Sequence, residues 1–168
     1  MKRERQIHPI EPLFNADSGI LILGSFPSIK SREQMFFYGH PQNRFWKVMA
    51  EVFGEPVPET IEDKKKLILG HGLALWDTLA SCEISGSSDA SIRNVQANDL
   101  SVILDHCRIR KICCNGRTSH AYYTRLIEPV IRREAVCLPS TSPANAQWTL
   151  EKLTAAWREE IKGGEETP

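Results

Sequence analysis

No stretch of this chain stays apolar for the ~18 residues that a membrane-spanning helix needs. The charged start Met1-Lys2-Arg3-Glu4-Arg5 is not followed by the apolar core of an export signal. Cysteine pairs are missing too. Cys82, Cys107, Cys113, Cys114 and Cys137 contain no Cys-x-x-Cys spacing, so neither zinc nor an iron–sulfur cluster is indicated. Their odd number and strand-like settings point to reduced, mostly buried thiols in a reducing compartment. Net charge is absent, with 21 Lys plus Arg against 21 Asp plus Glu, and nucleic-acid binding would have to use a local basic face. A cytoplasmic protein with no membrane partner, no metal and no cofactor is expected.

What is present describes one domain over residues 1–168, with 1–17 as an N-terminal extension and 163–168 as a frayed tail. The 41% hydrophobic content suffices for a real core and a shaped pocket. A monomer is expected. Between Asp105 and Arg133, Arg108, Arg110, Lys111, Arg117, Arg125, Arg132 and Arg133 face only Asp105 and Glu128. That stretch reads either as a nucleic-acid face or as a solvated helix face.

Short apolar runs at 19–23, 73–76, 110–114 and 134–138 alternate with helical patterns near 43–53, 60–70, 97–107, 117–128 and 145–162. Strand-then-helix alternation predicts an α/β fold, a three-layer α/β/α sandwich with a central, mainly parallel four-stranded sheet. Ligands of such sheets bind outside the carboxyl ends of the strands, so four segments should converge on one site. Gly24-Ser25-Phe26-Pro27-Ser28 allows close backbone approach, or is a plain turn. Asp77 reads a base edge or caps a following helical turn, ahead of the polar stretch Ser85-Gly86-Ser87-Ser88-Asp89. Asn115 and Gly116 turn into a helix whose free amides suit a phosphate, or merely into an N-cap. Pro139, Ser140, Thr141, Ser142 and Asn145 belong to a stiff hydroxyl-rich loop that grips phosphates or only connects.

The most informative run is Tyr38-Gly39-His40-Pro41-Gln42-Asn43-Arg44-Phe45-Trp46, which sets a neutral amide beside aromatics at the mouth of a helix. With the four loops, His40-Pro41-Gln42-Asn43-Arg44-Phe45-Trp46-Lys47-Val48-Met49 resembles the uracil-DNA glycosylase superfamily. The resemblance is closest to the mismatch-specific branch, with its His-Pro-x-Asn-Arg-Phe-Trp-Lys-Val segment, and to the hypoxanthine-DNA glycosylase group, family 6. It spans about residues 19–160. It implies a monofunctional DNA repair glycosylase that flips a deaminated base, hypoxanthine first and uracil second, and hydrolyses its N-glycosidic bond. Its partner would be double-stranded DNA containing deaminated bases, and its place the nucleoid.

Two departures matter. Phe26 stands where the mismatch-specific branch has an asparagine that serves the attacking water and other branches an aspartate, and Leu138 replaces the Asn or His before Pro-Ser. Asn43 therefore inherits the catalytic role that the resemblance gives this segment, holding water or donating to the departing base, unless it only caps the helix. Tyr38 corresponds to the aromatic that stacks on the extruded base. The backbone at Ser25 and Phe26, next to Gly24, and the Asp77 carboxylate read its edge. His40 walls the pocket, as turn former or general acid. Phe36, Phe37, Trp46, Trp148 and Trp157 are expected in the core. Two other classes remain open: a lesion-binding module without cleavage, and a mononucleotide-binding α/β protein.

Overall fold

The computed structural model describes residues 4–163, so most of the expected tail, 164–168, lies outside the described residues. Among the described residues, seven strands form two sheets. In the larger, β2 (Ile20–Gly24), β3 (Leu73–Asp77), β6 (Lys111–Asn115) and β7 (Val136–Leu138) run parallel in the order β3-β2-β6-β7. Every residue of β2 and β3 is buried. A parallel strand covered on both faces needs such an unbroken apolar run, which is why these strands are readable without alternation. Helices α1 (Ile29–Gln34), α2 (Phe45–Phe53), α3 (Ile61–Gly70), α4 (Ser101–Leu104), α5 (Arg117–Tyr122), α6 (Glu128–Ile131) and α7 (Leu150–Lys162) flank the sheet, completing the expected α/β/α arrangement.

The second sheet was not anticipated. Strands β1 (Glu4–Ile7), β4 (Leu79–Ile84) and β5 (Arg93–Ala97) pair antiparallel in the order β1-β4-β5. The segment expected as an extension therefore supplies an edge strand. Thr78 is the only residue between β3 and β4. Its N–H donates to Gly24 O at 2.8 Å, and Leu79 N–H donates to Ser25 O at 3.1 Å. Asp77 accordingly begins no helical turn. Phe26, Leu79, Cys82, Ile84 and Ile92 form a small apolar cluster under this sheet.

The main core joins Leu21, Ile22, Leu23, Phe45, Val48, Met49, Leu153 and Trp157, with Phe36, Phe37 and Trp46 inside it as expected. Trp148 is 36% exposed and is not in it, because α7 starts at Leu150 rather than 145. The helix expected over 97–107 shrinks to α4: Ala97 ends β5, and the Asn98 side-chain N–H groups donate to Asp77 O and Leu79 O. The helix expected at 117–128 continues to Ile131 through a widened turn, Tyr123–Ile127. That turn precedes Pro129, whose ring excludes an ordinary turn against the carbonyl four residues back.

Candidate active site

Strand order reverses about β2, with β3 on one side and β6 on the other. Crevices open at the carboxyl ends of strands at such a point. Here the cleft holds about 360 Å³ and is lined by residues from the ends of β2, β3 and β6 and from the loop after β7. Gly24, Ser25, Phe26, Tyr38, His40, Asn43, Asp77, Asn115, Ser140, Thr141 and Ser142 all face it. Gly116, Pro139 and Asn145 stand behind that wall. Gly116 N–H donates to Leu138 O at 2.9 Å, Pro139 O accepts from the Trp157 indole at 2.9 Å, and Asn145 Nδ2 donates to Ser140 O at 3.0 Å.

A chain of hydrogen bonds fixes the Asn43 amide. Phe45 N–H, an unambiguous donor at the first residue of α2, lies 2.9 Å from Asn43 Oδ1. Thr141 N–H, also unambiguous, donates to Asn115 Oδ1 at 3.0 Å, so Asn115 Nδ2 must donate to Thr141 Oγ1, also at 3.0 Å. The Thr141 hydroxyl proton then has one place to go, Asn43 Oδ1 at 2.8 Å. Both lone pairs of Oδ1 are filled. The functional face of Asn43 is its Nδ2 donor pair.

The floor is built around Gly24. A Cβ there would lie 2.3 Å from Asp77 Oδ1 and 3.4 Å from the Tyr38 hydroxyl, so only glycine admits both. Asp77, 4% exposed, engages His8 Nε2 through Oδ2 at 2.7 Å. His8 Nδ1 accepts from Ile10 N–H at 3.2 Å, which makes the imidazole neutral with its proton on Nε2, donating to the carboxylate. Asp77 Oδ1 remains as an acceptor. Tyr38 adopts a left-handed backbone (φ 53°) and stacks on Phe45 at 4.0 Å, so one ring face is already covered. Its hydroxyl is buried without a hydrogen-bond partner. Burial first, then the Asp77 charge, drive its pKa up, while the nearby Asn115 amide opposes them. Phe26 turns its ring edge-on to His8 at 5.9 Å, beneath the Arg32 guanidinium at 5.6 Å.

The loop after β7 is held from outside. Arg44 donates to Ser142 O at 2.9 Å, to Asn145 O at 3.1 Å and to Trp148 O, and its own N–H donates to Thr141 O at 3.0 Å. The Ser140 hydroxyl accepts from Ser142 N–H, and the Ser142 hydroxyl from Ala144 N–H. His40 Nδ1 accepts from Gln42 N–H at 3.1 Å, shaping the turn. None of the basic side chains between 108 and 133 lines the cleft. Lys111 is engaged with Glu160, and Arg108 and Arg133 border a separate shallow depression.

Three contributors carry no role in the sequence reading, although Arg44 lies in the Asn43 run and Asp89 ends the polar stretch after Asp77. His8 is 69 residues from Asp77, and Arg44 reaches carbonyls about a hundred residues away. Asp89 enters from the loop between β4 and β5, where its Oδ1 accepts from the Ser25 hydroxyl at 3.0 Å. No helix among the described residues is long and apolar enough to cross a membrane.

A family model for the uracil DNA glycosylase superfamily matches residues 11–161. A hypoxanthine DNA glycosylase of Methanosarcina acetivorans is 34% identical over 142 residues, covering 82% of this chain and 87% of the relative. One from Methanosarcina barkeri is 28% identical over 156 residues, covering 90% and 95%. The solution NMR structure of a proposed uracil DNA glycosylase from Methanosarcina acetivorans superposes with a TM-score of 0.76 at 29% identity, covering 94% of this chain and 99% of that one.

Proposed function

The chain belongs to the uracil DNA glycosylase superfamily, and from that membership we propose that it flips a deaminated base, hypoxanthine first and uracil second, out of duplex DNA. It hydrolyses the N-glycosidic bond as a monofunctional enzyme without a cofactor. Flipping is required because a stacked base hides its sugar carbon, and unpairing costs least at a mispair.

The observation that carries the reading is the fixed polarity of Asn43. As the glycosidic bond breaks, the sugar becomes oxocarbenium-like and negative charge spreads over the base, onto acceptors beside the glycosidic nitrogen. A donor held in place before the reaction stabilises that charge without reorganising. Of the two roles open to this asparagine, its saturated carbonyl favours donation to the base over the holding of water.

On the floor, Asp77 Oδ1 suits a ring N–H. Adenine N1 and cytosine N3 are bare acceptors; after deamination the same positions carry hydrogen, so a carboxylate acceptor meets hypoxanthine and uracil favourably. The unpartnered Tyr38 hydroxyl adds a second polar contact at the same depth. The Ser140 and Ser142 hydroxyls, which accept backbone N–H groups and keep their own protons to donate, contact the flanking phosphates.

The test is base release from matched duplexes carrying one hypoxanthine or one uracil. Release of free base by the native protein, abolished in Asn43→Ala, supports the reading. Duplex binding without release supports the lesion-binding alternative, to which the apolar Phe26 lends some weight.

A further inference from the structure

Hydrolysis needs an acceptor to hold and deprotonate water, and most acceptors of this cleft are already engaged. Asn43 Oδ1 is filled twice. His40 Nδ1, Ser140 Oγ and Ser142 Oγ each accept a backbone N–H. Phe26 offers none. The lining contains two carboxylates, Asp77 and Asp89. Asp77 is buried on the floor and tied to His8. A flipped nucleotide enters base first, so the floor meets the base while groups nearer the mouth meet the sugar. Asp89 is exposed as a residue on its loop, but its carboxylate turns inward against Ser25 on the cleft wall, where it is desolvated.

That loop is not loose. Ser25 Oγ donates to Asp89 Oδ1 at 3.0 Å, Ile29 N–H to Ser87 Oγ at 2.9 Å, and Arg32 Nη2 to Gly86 O at 2.8 Å. Three bonds thus lash residues 86–89 to the segment that follows β2. One carboxylate oxygen is oriented by Ser25, beside the Phe26 turn, and Oδ2 is left to a ligand.

We propose that Asp89 holds the attacking water and takes its proton, supplying from a neighbouring loop what the side chain at position 26 does not. This rests on the glycosylase reading. Water oxygen forms the bond to the sugar carbon as one water proton moves to the Asp89 carboxylate. The carbon–nitrogen bond breaks with its electron pair leaving on the base. The base anion, steadied by Asn43, takes a proton from solvent, and Asp89 returns its own to solvent.

Desolvation raises the Asp89 pKa, the Ser25 hydrogen bond lowers it, and the Asp77 charge raises it. Cys82 on β4 feels the Asp89 charge, while Arg32 on α1 and Arg93 on β5 bind backbone carbonyls of the same loop, Gly86 O and Ala90 O. The reactive form is the carboxylate, so the rate falls as pH drops through its pKa.

The experiment is single-turnover release of hypoxanthine from duplex across pH, with Asp89→Asn and Ser25→Ala beside the native protein and thermal melting of each. Asp89→Asn should be slower by about 100-fold or more with unchanged melting and duplex affinity, and should lose the acid limb. Ser25→Ala, lacking the bond that lowers the pKa, should show its acid limb at higher pH. An Asp89→Asn rate within about threefold of native, or an acid limb that survives in it, overturns the assignment. A native protein that releases no base overturns the glycosylase reading and Asp89 with it; an active native protein with an unaffected Asp89→Asn variant overturns Asp89 alone.

Discussion

The Thr141 hydroxyl donates a hydrogen bond to Asn43 Oδ1 at 2.8 Å, joining the loop after β7 to the start of α2 across 98 residues of sequence. Thr141→Val keeps the shape but leaves Asn43 and Asn115 each short of a partner. An unmet buried group costs about 1–3 kcal/mol. The variant should melt lower and release base about 10-fold more slowly, because Asn43 loses orientation rather than its donors. Single-turnover rates beside melting curves check this; a native rate would show that Asn43 orients itself.

His8→Leu removes the donor to a carboxylate that stays buried. A hydrogen bond to a charged group contributes about 1.5–3 kcal/mol. For a chain of this size that lowers the melting temperature by about 3–12 °C. The accompanying defect should concern choice of base, with discrimination of hypoxanthine from adenine weakened more than duplex affinity. Melting together with competition between the two duplexes measures both.

Gly116 has φ +97°, and a Cβ there would come within 3.0 Å of Ser140 Cβ. Gly116→Ala should cost about 1–3 kcal/mol and push the Ser140 loop outward, weakening duplex binding more than it slows the bound complex. Titration of duplex against the variant, compared with its single-turnover rate, separates the two.

Burial pushes the Cys82 thiol up to about 11, and Cys113 and Cys114 to about 12. Folding favours the protonated thiols. Their contribution to stability is whole below the ordinary thiol pKa of 9.0 and is lost as pH rises from there through about 12. Melting temperature should therefore fall over that alkaline range. A thiol reagent at pH 8 should label exposed Cys137 first and leave Cys82, Cys113 and Cys114 until the protein unfolds.

Legibility in the sequence followed burial. Residues 20–23 and 73–76 show themselves because both faces are covered and every position is apolar. The β1-β4-β5 sheet did not, since β1 and β5 are largely exposed and the β4–β5 ladder shifts register twice. Strand runs so short and irregular lack a clean period of two. The segment around Asn43 was recognisable as a motif, and its neighbours in the cleft followed from where parallel strands end. The partners that orient the site were not: His8 on Asp77, Thr141 on Asn43 and Ser25 on Asp89 are meetings of distant segments, set by topology and leaving no local pattern.

The most direct test is hypoxanthine release from a duplex by the native protein and by Asn43→Ala under single-turnover conditions. The account predicts release by the native protein and a rate about 100–1000-fold lower in the variant, with duplex binding retained. An Asn43→Ala rate equal to native would contradict the central claim that a donor amide with fixed polarity drives base departure.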